Sequence, residues 1–290
     1  MTLVKQSSCK VNLLLNILGR RPDGFHELET LMHPVRLYDE LAFSPGGQRI
    51  ELTCNETTLP TDSRNLVYRA AALFLRTANI NDGIRMHLEK RIPLAAGLGG
   101  GSGNAATTLL GLNEMFGNPL DSAVLSSLAA SLGSDVPFFL QSNPALATGR
   151  GEKIEPLDFF AALSGTALLL VHPGFGIASA WAYQQLQRFP EAVNGRAGRA
   201  RELVVSLQKG DLRTAGTQFY NSLEAPALEK YPLLGIFQDF FRGKGAPATL
   251  MSGSGSTTFA IFKTPQTAAE VSEQFKAKFG TAHWVTVVPL

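Results

Sequence analysis

Cysteine is scarce: the chain of 290 residues has two, Cys9 and Cys54. Two thiols make neither a disulfide framework nor a metal cluster, and their scarcity predicts a reducing compartment. Net charge is small as well, with 26 lysines and arginines against 24 aspartates and glutamates for a formal +2. No basic excess is available to hold a phosphate backbone or an anionic lipid surface, so neither nucleic acid nor a membrane is expected as a partner. No apolar run reaches the length of a membrane span, residues 163–171 coming nearest, and Met1 is followed by polar residues instead of a basic-then-apolar leader. A cytoplasmic protein is expected. No Gly-Lys-Ser/Thr ends a glycine run, which excludes a Walker loop, and there is no internal repeat or low-complexity tract.

What is present describes a globular chain of one large or two modest domains, with 44% hydrophobic and 17% charged residues. Its densest feature is residues 93–113, PLAAGLGGGSGNAATTLLGLN, with five glycines and one serine in the seven residues 97–103. Glycine admits positive φ and brings bare N–H groups close to a ligand. From Ala105 the apolar residues Ala105, Leu109, Leu112 and Phe116 fall at helical spacing, which predicts a helix with Ser102 or Asn104 placed to cap it. The unpaired N–H groups and positive dipole end of its first turn would then face the glycine loop and suit a phosphate. A plain flexible turn would not need so many crowded glycines. The frame Gly101-x-Gly103-x-x-Ala106, with Asp121 about 20 residues on, imitates a dinucleotide fingerprint. That fingerprint needs a buried strand running straight into the first glycine, whereas residues 84–92 alternate and are followed by Pro93. A phosphate cradle of another kind is the better reading.

In order along the chain, residues 10–17 read as a strand. Val11, Leu13, Leu15 and Ile17 share one face, and Lys10, Asn12 and Asn16 share the other. At a sheet edge the polar face would be ordinary solvated surface, the expectation by base rate. Pro22-Asp23-Gly24 is a turn signature, and Phe25 and His26 beside it suit stacking on a flat heterocycle and reading its edge. A helix is expected over residues 65–77 after Thr61-Asp62-Ser63, and another over 121–132, capped by Asp121 and stopped by Gly133. Asp135, in Gly133-Ser-Asp-Val-Pro137, reads by itself as a turn residue. A strand over residues 167–171 ends in His172-Pro-Gly174, a helix covers 179–189, and 190–199 reads as a flexible excursion. A second glycine/serine loop, 251–256, leads into a strand at 257–262, then a helix after Pro265 and a strand at 283–288. The pattern predicts an α+β protein in two lobes, residues 1–160 with the glycine loop and 161–290 as a second α+β lobe.

Taken together, Pro93–Ala106, Lys10-Val-Asn12, Arg21-Pro-Asp-Gly-Phe-His26 with Leu28 and Thr30, Gly133–Pro137, His172-Pro-Gly174 and Ser252–Ser256 resemble the motifs of one family, in the family's order. The chain resembles the GHMP small-molecule kinases, and among them the 4-diphosphocytidyl-2-C-methyl-D-erythritol kinases. The resemblance implies an N-terminal lobe of the ribosomal-protein-S5-like kind and a ferredoxin-like C-terminal lobe. It implies transfer of the γ-phosphoryl of ATP, with Mg2+, to the 2-hydroxyl of the cytidylyl substrate in non-mevalonate isoprenoid biosynthesis. Carried over by position, Lys10 and Asp135 match the catalytic pair, and a lysine beside that carboxylate would keep it ionised. Pro93, Leu94, Ala95, Ala96, Gly97, Leu98, Gly99, Gly100, Gly101, Ser102, Gly103 and Asn104 match the ATP-binding loop, with Asn65 and Leu66 near the adenine. Asn12 matches a residue at the reacting hydroxyl, Phe25, His26 and Tyr183 the cytosine site, and Ser179 a contact to the substrate diphosphate. The metal ligands are left open, and the implied assembly is a monomer or homodimer.

Three positions depart from the family's pattern. Gly103 stands where a second serine is usual, Cys9 where a small alanine is usual, and Phe25 where tyrosine is common. None removes a charge the chemistry needs. Two alternatives stay beside this reading. One is a sister kinase for homoserine, mevalonate or a sugar, which would lack the Asp-Gly-Phe-His segment. The other is a catalytically silent ligand-binding protein, which would have lost Lys10 or Asp135.

Overall fold

The computed structural model describes residues 2–193 and 195–290, so Asn194, within the excursion expected at 190–199, lies outside the described residues. In chain order the elements are β1 (Leu3–Arg20), β2 (His26–Pro45), β3 (Ile50–Cys54), α1 (Leu66–Thr77), β4 (Ile84–Glu89), α2 (Gly100–Met115), α3 (Ser122–Leu132), β5 (Ala145–Gly149), β6 (Lys153–Pro156) and β7 (Ala167–His172). They continue with α4 (Ser179–Gln185), α5 (Arg199–Gln208), α6 (Leu212–Gly216), β8 (Tyr220–Asn221), α7 (Glu224–Lys230), α8 (Pro232–Gly243), β9 (Ala248–Met251), β10 (Thr258–Phe262), α9 (Pro265–Phe279) and β11 (Trp284–Pro289). The chain forms two compact units. One takes in the start of β1 to Cys9, Leu37–Pro93 and Gly99–Ser142; the other takes in Lys10–Arg36, Leu94–Leu98 and Asn143–Leu290.

In the first unit the second half of β2 runs antiparallel to β4, from Glu40 opposite Glu89 to Pro45 opposite Ile84, and β3 runs parallel to β4. Helices α1, α2 and α3 pack against one another. Gly111 of α2 lies so close to the Phe43 ring that a Cβ there would come within 2.7 Å of it. Local chemistry sets the helix ends. The Asp121 side chain accepts from Val124 N (2.8 Å) to start α3, and Gly133 follows its last turn. Helix α2 starts earlier than the apolar spacing predicts, at Gly100, with Gly99 as N-cap at φ 70° and no side-chain cap. Ser102 and Asn104 therefore stand inside the helix and do not cap it. Glycines carry no side chain to register in a periodicity, so the first turn is hidden within the glycine run.

In the second unit the first half of β2 pairs antiparallel with β5, β5 pairs with β6, and β8 runs parallel to β1 at Leu14 and Leu15. A separate sheet has the order β11-β7-β10-β9, with every neighbour antiparallel. Its strands and the helices between them follow a β-α-β-β-α-β course, the ferredoxin-like arrangement expected of this half. Helices α8 and α9 cover one face through Phe237, Phe241, Val271 and Phe275, which pack on Leu169, Val171, Ala260 and Phe262.

Candidate active site

Alternation along β1 puts the Lys10 and Asn12 side chains on one face, and that face is interior: each residue is 2% exposed. The solvated-face expectation for these two residues is thus overturned. A buried ammonium needs acceptors, and Lys10 Nζ donates to Asn12 Oδ1 and to the Gly97 carbonyl (3.1 Å). Asn12 Nδ2 donates to Thr30 Oγ1 (2.8 Å), which donates on to the Leu14 carbonyl (2.6 Å). Ser252 Oγ donates to the same Gly97 carbonyl (3.0 Å) and accepts from Asn12 N (3.3 Å). Backbone bonds from Lys10 N to Leu98 O (2.9 Å) and from Thr257 N to Ala96 O (3.1 Å) fasten the loop on both sides of Gly97. Gly97 has φ +76°, and a Cβ there would collide with the Ser252 carbonyl. The start of the glycine loop, the lysine and the second glycine/serine loop are therefore one hydrogen-bonded assembly.

Further along the loop, left-handed residues alternate at Ala95 (φ 51°), Gly97 (φ 76°) and Gly99 (φ 70°). Such alternation turns successive N–H groups toward one side, a backbone concavity suited to an anion. It runs directly into the N-terminus of the 16-residue helix α2. Beneath that terminus Asn104 Nδ2 donates to Ser7 Oγ and Asp39 Oδ2 (2.9 Å each), and Lys90 Nζ donates to Asn104 Oδ1 (3.2 Å) and pairs with Asp39. Asp39 Oδ1 also accepts from the N–H groups of Arg91 (2.8 Å) and Ile92 (2.9 Å). The structure thus places the Asn104 amide in a buried network that anchors the helix. Gly103 lies against the Ser8 carbonyl so closely that a Cβ would collide with it, which accounts for glycine at this position. Asn65 caps α1, accepting from Val67 N (2.9 Å) and donating to Pro60 O (2.7 Å).

Gly101 offers a clean probe of the cradle. A Cβ there would meet only Leu66 Cδ1, at 3.7 Å. Since alanine is favoured over glycine in a helix by up to about 1 kcal/mol, Gly101→Ala should fold at least as stably as the parent. If the glycine loop cradles the ATP phosphates, its ATP affinity should fall, because the added methyl group would crowd the approaching phosphate. Unchanged affinity, measured by calorimetry, would count against the cradle.

Asp135 is half-buried in the turn after α3, which is closed by Val136 N to Gly133 O (3.2 Å) ahead of the short helix Pro137–Leu140. In the second unit the His26 and Tyr183 rings lie 5.1 Å apart at 33°. Burial, with the charge of Arg20 as a smaller cause, holds the His26 pKa below its ordinary value. Phe25 is 50% exposed and has the Arg150 guanidinium 4.7 Å over its ring. Ser179 Oγ meets Ser254 Oγ at 2.9 Å, at the second glycine/serine loop. Thr30, Ser252 and Arg150 are neighbours to which residue-by-residue reading gave no role. Thr30 and Ser252 each left a signal, as members of the motifs, and Arg150 left none. Among the described residues no group of three or more His, Cys, Asp or Glu is arranged to hold a metal ion, and no helix is long and apolar enough to cross a membrane.

Residues 65–143 match the GHMP kinases N terminal domain and residues 203–281 the GHMP kinases C terminal model. A 4-diphosphocytidyl-2-C-methyl-D-erythritol kinase of a Synechococcus species is 39% identical, covering 96% of this chain and 91% of the relative. The kinase of the same name from Syntrophotalea carbinolica is 39% identical over 93% of each chain. A crystal structure of 4-(cytidine 5'-diphospho)-2C-methyl-D-erythritol kinase superposes with a TM-score of 0.81 at 34% identity, covering 99% of this chain and 100% of that one. The glycine loop on a helix N-terminus, the ferredoxin-like half and the motifs in their order thus meet in one assignment. The chain is an ATP-dependent small-molecule kinase with the α+β GHMP kinase fold, and it belongs to the 4-diphosphocytidyl-2-C-methyl-D-erythritol kinase family.

Proposed function

We propose that this chain transfers the γ-phosphoryl of ATP to the 2-hydroxyl of 4-diphosphocytidyl-2-C-methyl-D-erythritol, a step of non-mevalonate isoprenoid biosynthesis, with Lys10 and Asp135 as the catalytic pair. The observation that carries the proposal is the buried Lys10 ammonium, held on Asn12 and on the carbonyl of Gly97 in the glycine loop. Phosphoryl transfer is catalysed chiefly by positioning and by stabilising charge on the transferred oxygens. The N–H groups of residues 97–102 supply fixed donors, Lys10 supplies a cation, and Asp135 orients or deprotonates the attacking hydroxyl. Mg2+ binds largely through nucleotide phosphates and needs few protein oxygens; the Ser102 hydroxyl, in the first turn of α2, would be the protein oxygen to hold it, and the ion would supply further neutralisation of phosphate charge. Asn12 sits by the reacting hydroxyl and Ser179 by the substrate diphosphate. Asn65 and Leu66 border the adenine. The proposed lobes, 1–160 and 161–290, are supported by the gap between the two matched family segments, whereas the compact units interleave along the chain.

His26, whose pKa burial lowers, offers in its neutral form one donor and one acceptor to the edge of a cytosine, and Phe25 and Tyr183 offer ring faces. Stacking of a base on an aromatic side chain contributes about 1–3 kcal/mol. Tyr183→Ala should therefore raise KM for the cytidylyl substrate by roughly 5- to 150-fold and leave KM for ATP within about twofold. Equal losses for both substrates would make Tyr183 a packing residue. The proposal as a whole is tested by ADP release from ATP with the cytidylyl substrate, homoserine or mevalonate supplied in turn. Turnover with the cytidylyl substrate alone is expected; turnover with another acceptor, or with none, overturns it.

A further inference from the structure

The glycine/serine loop that braces Gly97 is itself held from below. Asn221, on β8 beside Leu15 of β1, is 2% exposed. Its Nδ2 donates to the carbonyls of both Met251 and Gly253 (2.7 Å each), and its Oδ1 accepts from Leu223 N (2.9 Å). Three residues on, Glu224 accepts from the N–H of Met251 (2.7 Å) and from Gln238 Nε2 (2.5 Å), and Arg242 Nη2 donates to Gln238 Oε1 (2.9 Å). Both backbone polar groups of Met251 are thus gripped by side chains from one short segment. The grip flanks Ser252, whose hydroxyl binds Gly97 O and Asn12 N. It also fixes Gly253, a residue at φ +56° whose missing Cβ would stand 3.2 Å from Lys10 Nζ and 3.4 Å from Asn12 Oδ1.

We infer that Asn221, with Glu224 beside it, is a positioning residue for phosphoryl transfer: it holds the 251–253 backbone at the spacing that leaves Lys10 pointed at the transferred group. The chemistry favours an amide at this position. Two carbonyl oxygens meet at one NH2 group, and no other small side chain offers two donors and an acceptor in a plane. A carboxylate of the same shape would set its lone pairs against both carbonyls and open the loop. Displacements of about 1 Å at a reacting centre cost on the order of 10²-fold in rate, so a small opening suffices. The inference rests on the reading of Lys10 as a catalytic group.

The test is a double-mutant cycle. Asn221→Asp should lower kcat by about tenfold or more, and a wild-type-like kcat in a folded Asn221→Asp enzyme would overturn the inference. In the Lys10→Met background, the same change should lower kcat by less than about threefold, because the group it positions is gone. A purely structural role would lower the thermal midpoint and multiply the two losses, and multiplicative losses therefore also overturn the inference. Should Asn221→Asp fail to fold, Glu224→Gln, which retains an acceptor for Met251 N, and Glu224→Ala, which does not, are compared in the same cycle. The alanine variant alone is expected to lose kcat, with coupling to Lys10→Met; equal kcat in the two overturns the proposal. A Lys10→Met enzyme with full kcat would instead remove the functional reading on which the inference stands, so the two failures are told apart.

Discussion

Asp135→Asn is expected to lower kcat by roughly 10²–10⁴, the contribution typical of a general base, and to leave ATP binding nearly unchanged. Asparagine is close to isosteric with aspartate, suits the same turn between α3 and Pro137–Leu140 and still accepts through its amide oxygen. It cannot take a proton or carry negative charge. If the carboxylate only shapes the turn, closed here by Val136 N to Gly133 O at 3.2 Å, the substitution should cost a little stability and no chemistry. Steady-state kcat together with calorimetric ATP affinity separates the two roles. An Asp135→Asn enzyme with most of its kcat would leave Asp135 a turn residue, and another group would have to receive the hydroxyl proton.

Where the sequence was legible, the determinants are local. Helix α3 begins and ends where Asp121 and Gly133 place it, and α9 starts at Pro265, its N1 proline, with Thr264 as the cap that the structure adds. The start of α1 was less plain. Asp62 looks like a cap, but its carboxylate accepts from Arg64 N (2.9 Å) in a turn of its own, and Asn65 caps the helix. The first turn of α2 was hidden for the opposite reason, since its glycines have no side chains to pattern. Nor does any linker composition announce that β1 and β2 each lie partly in one compact unit and partly in the other.

The site shows the same division between local and distant causes. Alternation revealed that Lys10 and Asn12 share a face, because that is a property of the strand. It could not reveal that the face is covered, because the group that meets the Asn12 amide, Ser252, is 240 residues away. Asn221 was invisible on the same ground: it is an ordinary polar residue in a two-residue strand until its partners arrive. Gly103 is the reverse case. It stands out in the sequence as a lost hydroxyl, and in the fold it is the only side chain small enough to lie against the Ser8 carbonyl.

Lys10→Met should separate the two duties this residue carries. Methionine nearly matches the length of the lysine stem and can occupy an interior position, so the fold should survive. The ammonium, however, donates to Asn12 Oδ1 and to Gly97 O. Leaving a buried acceptor unpaired costs about 1–3 kcal/mol, softened here because Gly97 O keeps its bond from Ser252 Oγ (3.0 Å). The thermal midpoint should therefore fall by a few degrees. The kinetic effect should be larger: removing one preorganised electrostatic contact to a transition state typically costs about 10²–10³ in kcat. Combined with Asp135→Asn, the loss should be smaller than the product of the two single losses if both groups serve the same transfer step. A variant that loses the few degrees but keeps its kcat would assign Lys10 to bracing the Gly97 carbonyl and take the cation out of the chemistry.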